Sequence, residues 1–583
     1  MFSSGSYPLI DFTSFDLATP IEYDFIVVGG GTAGCVLASR LSENPAVSVL
    51  LLERGDARRG WATRVPLTST NFMGDPSAAY RWPASQSVGD ARSLSLVTGK
   101  GLGGGSSINS MQYSRGFPKE YDLWSQNGNH GWSYAEIEHY FKKSEHFTNP
   151  PSRSSPAKHH GTQGEWKVRD MGDLYFSTAT SCVAACTALG LPYSADLNDP
   201  AAPFTMCAKL DCTIDDQGYR SSTFTAFLPP KLAHERNYHL HICTGAAVTN
   251  LDLGVDSNGQ QFVKGVAFQT NEFGSKVYRA LARKEVILCA GAIATPQILL
   301  LSGIGPQDCV KKPLRKHLPG VGHNLQDHMA VGIMYSVPTD QSLHIMQTSR
   351  LRAMLELFRY IAFGEGMFLS PVTQLSILVH STLIDDAGRI VQREGGGGRL
   401  PDLELMPIHF NYSDPPIDIP VDAGVFSLKV ALMRPHSRGT VTLASPDPLD
   451  RPACDLGFLS NPADYLAMRN GIKLAKRIGE KMRELGAPLK DLCMPESETD
   501  ADLNAFVRKT VRTTYHYGCT CRMAPENDSD AGVVNEELKV HGIDKLRIAD
   551  CSVIPEMMSA HLQAPAVMIA EKCADLIKLE HST

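Results

Sequence analysis

His516 sits between two tyrosines in the run Tyr515-His516-Tyr517-Gly518-Cys519-Thr520-Cys521-Arg522-Met523, and a second histidine, His561, follows in Ser559-Ala560-His561-Leu562-Gln563. Three chemistries are open to the first cluster: a zinc site, a redox-active cysteine pair, or a proton-transferring histidine with cysteines packed beside it. Structural zinc sites space their cysteines two to four residues apart and repeat the pair, and Cys519-x-Cys521 does neither. Alternate residues also strain a disulfide. An imidazole titrates near neutrality and suits a hydroxyl proton. We expect no metal here. The local residues leave the choice between thiol and imidazole open, and the rest of the chain has to narrow it.

Any such chemistry needs a scaffold, and the front of the chain supplies one. In Glu22-Tyr23-Asp24-Phe25-Ile26-Val27-Val28 an apolar strand leads into a glycine turn, with Gly29, Gly31 and Gly34 in G-x-G-x-x-G register. A helical pattern through Ala33, Val36, Leu37 and Leu41 follows, then a second apolar strand, 47–52, ending at Glu53. The glycines let the backbone turn tightly beside a pyrophosphate, and the helix N-terminus offers it free N–H groups. Glu53 stands where a carboxylate can hold ribose hydroxyls and repel a 2′-phosphate, which disfavours NADP. The unit by itself does not separate FAD from NAD. A plain glycine-rich turn would leave Glu53 without a purpose.

Two more stretches carry small residues where a flat or charged ligand could lie. Residues 98–124 contain Gly103, Gly104, Gly105, Ser106, Ser107 and Asn109, and residues 289–306 run from an apolar strand through Ala294-Thr295-Pro296 to Gly303 and Gly305. In these three stretches together the chain resembles the glucose–methanol–choline (GMC) oxidoreductases, a family of FAD-dependent enzymes. Further echoes lie at 160–166, 318–328, 436–443, 546–555 and 564–577, so the likeness covers about residues 22–577.

The resemblance implies an α/β fold. It combines a Rossmann-like FAD-binding domain from discontinuous segments (20–115, 235–330, 530–583) with an α+β substrate-binding cap (116–234, 331–529) built on an antiparallel sheet. It implies FAD, with Gly29, Gly31, Thr32, Ala33, Gly34 and Glu53 at the ADP half. Gly104, Asn109, Ser110 and Met111 would line the flavin, Val248 would meet the adenine through its backbone, and Asp550, Cys551 and Gln563 would close the far side. Some relatives bond the flavin covalently through a histidine just before this asparagine; Ile108 stands there, so the FAD is expected to be non-covalent.

The resemblance also answers the opening choice. His516 falls on the family's C-terminal histidine and His561 on its second polar position, so His516 is expected to be the base and His561 the positioning partner. The reaction implied is oxidation of a primary alcohol, with hydride going to flavin N5 and electrons passing on to oxygen or another acceptor. A non-redox lyase of the hydroxynitrile-lyase type and a formate-oxidase or decarboxylase type are the alternatives. Cys519 departs from the family's usual glycine, which puts the local backbone in question.

The bulk numbers agree with a large globular enzyme and exclude other classes. With 583 residues, 43% hydrophobic content and a net charge of −7, the chain can bury more than one core and has no basic stripe for nucleic acid. No apolar run reaches the ~18–20 residues of a membrane helix. The N-terminal segment lacks a signal-peptide pattern, and 14 irregularly spaced cysteines make no disulfide framework, so a reduced, cytoplasmic setting is expected. His159-His160 reads as a loop feature, and 392–402 as a flexible loop. The Met-, Phe- and Tyr-rich stretches 363–374 and 403–416 read for the most part as core of the cap's sheet, and the remainder would make an apolar pocket for aromatic or medium-chain alcohols, with Glu365 or Glu404 keeping open a grip on a choline-like cation. Oligomeric state is not legible.

Overall fold

The computed structural model describes residues 7–582 except 12–14, 16–19, 59, 70–73, 89–91, 149–158, 273, 371, 392–397, 414–415 and 529–530. Most of the N-terminal segment and the glycine run 392–397 therefore lie outside the described residues.

The expected βαβ unit forms the centre of a seven-stranded sheet. The strand Ile21–Val28 pairs in parallel with Val49–Leu52 on one side and Val277–Leu288 on the other. Leu240–Cys243 extends the sheet beyond Val49–Leu52, Leu546–Ile548 pairs in parallel with Val277–Leu288, and Gln261–Gln269 and Ala247–Val255 complete it as antiparallel neighbours. Phe25, Ile26, Val27, Val49, Leu50 and Leu51 are fully buried, as parallel strands covered on both faces must be. The helices Thr32–Leu41 and Gln563–His581 pack together on this sheet. Arg40 joins them through Glu571 at 2.7 Å, so the two ends of the chain close one layer.

The second sheet has eight strands and is antiparallel except where Tyr193–Ser194 meets Met206–Lys209. Its centre is Met329–Pro338, Ala423–Leu432 and Leu403–Ile408, in that order. Period-2 alternation splits its faces. Phe426, Leu428, Val430 and Leu432 join a core with Met468, Ile472, Ala475 and Ile478 of the helix Pro462–Glu484. That helix lies close on the sheet: a Cβ at Gly479 would fall 2.0 Å from the Tyr335 hydroxyl. From the other face, Met406, Ile408 and Lys429 line a cavity between the two sheets.

Residues 116–234 divide between the two cores. Tyr121, Trp124, Trp132, Phe141, Trp166 and Phe227 pack with the first sheet, whereas Cys182, Cys186, Leu191 and Cys207 pack under the second. The helix Tyr134–Ser144 rests on the last helix, with Lys143 bonded to Asp575 at 2.9 Å. His159 and His160 lie in a turn between strands, as the loop reading has it, but His160 is not a free surface residue. It is buried, stacked on Phe147, and held by Glu145 (2.6 Å) and Asp196 (3.2 Å). Burial would lower its pKa, but those two carboxylates raise it to about 9. Among the described residues no helix is long and apolar enough to cross a membrane.

Candidate active site

The cavity between the sheets has a volume of about 860 Å³. Gly29, Gly31, Thr32, Ala33, Glu53, Gly104, Asn109, Ser110, Val248, Asp550, Cys551, Gln563, His516 and His561 all line it. Residues from five separate stretches of the chain thus meet on one space. Two expected residues stand apart from the lining. Gly34 lies inside the helix, where a Cβ would come within 1.8 Å of the Gly29 carbonyl, so it serves close packing of helix on turn. Met111 is fully buried and packs with Cys212 and Ile214.

The glycine end fits a dinucleotide. Gly29 has φ +99°, and a Cβ there would sit 2.6 Å from the Cys289 carbonyl oxygen. Gly104, at φ +49°, faces Gly31 so closely that its Cβ would lie 2.8 Å from the Gly31 Cα. The helix starting at Thr32 has no side-chain cap and no acid in its first turn, so its leading N–H groups are available to an anion. Glu53 does more than was expected of it. Its carboxylate accepts N–H bonds from Gly30 (2.8 Å), Gly55 (2.7 Å) and Gly101 (3.2 Å), clamping both glycine loops, while still lining the cavity. Burial raises its pKa in spite of these three bonds.

The middle of the cavity is a polar network. Asn109 Nδ2 donates to Gln563 Oε1 (2.9 Å), and its Oδ1 accepts from the Met111 N–H (3.0 Å) and from Arg220 (2.7 Å). Arg220 also donates to the Ser106 carbonyl (3.0 Å). Asp550 accepts from the Gly291 N–H (2.8 Å), Thr295 (2.6 Å) and the Ser552 N–H (2.8 Å), which anchors the end of the strand Leu546–Ile548. The segment around Asn109 is therefore held from two sides before any ligand is considered.

His516 is placed by its backbone. The short strand Arg512–Thr513 pairs with Met329–Ala330, and the His516 N–H donates to Asp327 Oδ1 at 2.8 Å. Beyond it the N–H groups of Cys519, Cys521 and Met523 bond to the carbonyls of Cys551, Ser552 and Val553 in turn. The stitch is made by the backbone, and the side chains of Cys519 and Cys521 pack beside it. Both are fully buried free thiols, and burial pushes Cys519 up to about 12 and Cys521 well above the ordinary thiol value, so neither is a ready thiolate or metal ligand. Cys519 has φ +70°, the left-handed region that explains why a glycine is usual there.

Three imidazoles meet at the sheet side of the cavity. The ring centroids of His516 and His561 are 4.8 Å apart, and those of His516 and His328 are 5.0 Å apart. His516 Nδ1 lies 2.9 Å from His328 Nδ1 and 3.2 Å from Thr514 Oγ1. The Thr514 hydroxyl gives its own hydrogen to the His328 carbonyl (2.9 Å), so toward His516 it can only accept. Thr514 therefore suits the His516 tautomer protonated at Nδ1, which leaves Nε2 with its lone pair; the opposite tautomer would accept at Nδ1 from His328. Burial, then the charges of His561, His328 and Lys429, hold His516 well below the usual imidazole range, so it is neutral at pH 7. Burial likewise drives His328 down to about 3.

His561 is oriented from behind by Glu404. Its Nε2 lies 3.1 and 3.2 Å from the two carboxylate oxygens, and Glu404 also accepts from Ser376 Oγ at 2.6 Å. Burial would raise Glu404, but His561, Lys429 and Ser376 bring it down to about 2. The possibility that Glu365 or Glu404 grips a cation is thereby corrected. Glu404 is turned into the His561 pair and is not part of the cavity wall, and Glu365 stands at the surface beside Arg359 at 3.7 Å. Sequence reasoning missed His328 and Lys429. The signal for Lys429 was a single cation in the apolar strand Val425-Phe426-Ser427-Leu428-Lys429-Val430-Ala431-Leu432.

Comparison with known proteins adds a family. A family model described as GMC oxidoreductase matches residues 23–330, and its C-terminal counterpart matches 435–570. An oxygen-dependent choline dehydrogenase of Stenotrophomonas maltophilia is 33% identical over 96% of both chains. The mitochondrial choline dehydrogenase of Homo sapiens is 34% identical over 96% of this chain and 90% of the human one. Among solved structures, a variant of the formate oxidase of Aspergillus oryzae RIB40, studied for FAD modification, superposes with a TM-score of 0.84 at 26% identity, covering 97% of this chain and 99% of that one.

Proposed function

Because this chain belongs to the GMC oxidoreductases and is an FAD-dependent enzyme acting on CH–OH donors, we propose that it oxidises a primary alcohol with His516 as the proton acceptor. The observation that carries this reading is the pair of histidines with opposite support on one cavity wall. Burial keeps His516 neutral, while His561 is backed by an ionised carboxylate. His516 Nε2 takes the hydroxyl proton. His561 has its Nε2 taken by Glu404, so the nitrogen left for the substrate oxygen is Nδ1; carrying a proton, it holds that oxygen in place and stabilises the charge that develops there.

The glycine turns, the helix end at Thr32, Glu53 and the Asn109–Gln563 pair would hold the cofactor. FAD, when bound, supplies the hydride acceptor, and oxygen or another acceptor then removes the electrons. The apolar side chains Met346, Phe368, Met406, Ile408 and Phe410 line the substrate end, which supports an aromatic or otherwise apolar alcohol body. Choline, in the names of two relatives above, is a second candidate. Those relatives are oxidoreductases, and a non-redox lyase is not favoured.

Anaerobic stopped-flow mixing of the holoenzyme with a panel of primary alcohols tests the reading. The flavin should bleach with the parent protein, and His516→Ala should slow bleaching by ~10²-fold or more, the usual scale for a lost general base. Cys519→Ala and Cys521→Ala should stay within a few-fold of the parent, since their buried thiols only pack. A His516 variant at the parental rate beside a dead cysteine variant would move the chemistry to the thiols.

A further inference from the structure

Lys429 occupies the middle of the strand Ala423–Leu432, opposite Gly332 on one neighbour and Met406 on the other. It is 7% exposed and lines the cavity. A buried ammonium is expensive unless something compensates it. Among the described residues Lys429 makes no ion pair, and the one hydrogen bond of its ammonium goes to the Met406 sulfur at 3.6 Å, a weak acceptor. The carboxylates whose charge it feels are taken by others: Glu404 by His561 and Ser376, Asp327 by Thr513 and the His516 N–H.

The carboxylates are unevenly placed along the cavity. Among the described lining residues they are Glu53 and Asp550, both on the cofactor side, where Arg54 and Arg451 also stand beside Tyr80. The substrate end presents Lys429 and Arg512, whose guanidinium lies over the Tyr412 ring at 4.6 Å and donates to the Tyr412 carbonyl at 3.1 Å. A trimethylammonium group entering there would meet cations and no acid. An oxyanion would meet a dry ammonium with hydrogens to give.

We propose that the alcohol oxidised by this enzyme carries a carboxylate, bound by Lys429 Nζ at the sheet side of the cavity, with its apolar body on the Met406 and Phe410 side chains. This rests on the alcohol-oxidation reading above and narrows it to hydroxy acids of the hydroxymethyl-carboxylate kind. Lys429 acts as a specificity determinant. It is close enough for its charge to be felt at His516, so a carboxylate on Lys429 also brings the other end of a short substrate toward the histidine pair.

The test uses the FAD-loaded holoenzyme and two kinds of probe. Benzoate and benzamide, titrated against the flavin absorbance spectrum, report anion binding without turnover. 4-(Hydroxymethyl)benzoate, 4-(hydroxymethyl)benzamide and choline report anaerobic flavin reduction. Benzoate should bind the parent roughly 10- to 100-fold tighter than benzamide, the range of one charge-assisted hydrogen bond. 4-(Hydroxymethyl)benzoate should lead the alcohols by a similar factor. Lys429→Met should collapse both ratios toward one, and Lys429→Arg should restore most of the preference. If Lys429→Met does not retain FAD, the parent ratios and the arginine variant decide. Equal binding of benzoate and benzamide by the parent overturns the proposal, and so does a carboxylate preference that survives in Lys429→Met. The two readings separate cleanly. Benzoate preference with no alcohol bleaching the flavin keeps the anion site and removes the alcohol oxidation. Bleaching by the neutral alcohol without a carboxylate preference does the reverse.

Discussion

Glu404→Gln isolates the support behind His561. The glutamine keeps the size of the side chain and can still offer its amide oxygen to His561 Nε2, but it removes the charge. The size of that charge effect can be read from the site. Glu404 is 2% exposed, and its carboxyl is held at about 2 against an ordinary 4.5. The surroundings thus favour its ionised form by about 3 kcal/mol, with His561 the leading favourable contributor. A hydrogen bond to a charged group is worth ~1.5–3 kcal/mol and one between neutral groups ~0.5–1.5, so the substitution should cost His561 ~1–2 kcal/mol of support. If that support is used in the transition state, flavin reduction slows by roughly 5- to 30-fold. The assay is anaerobic stopped-flow reduction at saturating alcohol, repeated in a His561→Ala background. There Glu404→Gln should have little further effect, because it acts through the ring that is gone. Parental rates in the single variant, or an undiminished penalty in the His561→Ala background, would refute the idea that Glu404 works by holding His561.

Three other outcomes follow from the same geometry. The limiting rate of flavin reduction should stay on its plateau as pH drops through 6.5: burial lowers the His516 pKa, so the ring remains unprotonated there and activity is lost only in more acid solution; a break at or above 6.5 in the pH–rate profile would count against His516 as the base. Glu53→Ala should weaken FAD retention, because it leaves three backbone N–H groups of the glycine loops without their charged acceptor, each such bond being of order 1.5–3 kcal/mol; flavin fluorescence titration measures it, and an unchanged dissociation constant would free Glu53 of that role. Acid precipitation should release the flavin from the polypeptide, since Ile108 lines the cavity where a covalent attachment would need a nucleophile; colour that stays with the pellet would contradict this.

The parts of this protein that were legible in the sequence are those written in local, periodic signals. An apolar strand, a glycine turn in fixed register, a helix and a terminal acid occupy residues 25–53 without interruption, so Gly29, Gly31 and Glu53 could be assigned before any tertiary contact was known. His516 and His561 were found by matching short motifs to a family, and the cavity brings both together with the glycine turns. What the sequence did not show is how side chains far apart in the chain are paired. Glu404 lies 157 residues from the His561 it orients, and from its neighbours alone it looked like a possible cation grip. Segment 116–234 looked like one block, yet its aromatic helices complete the first core while its cysteine-bearing part underlies the second sheet. Lys429 is the sharpest case. In a strand, a shift of one residue in pairing turns every side chain to the opposite face. The register that sets Lys429 against Gly332 and Met406 therefore decides whether its charge enters the substrate cavity or the helix-covered core, and that register is fixed when the strand's Phe426, Leu428 and Val430 pack under the helix Pro462–Glu484, a partner the strand's own sequence does not specify.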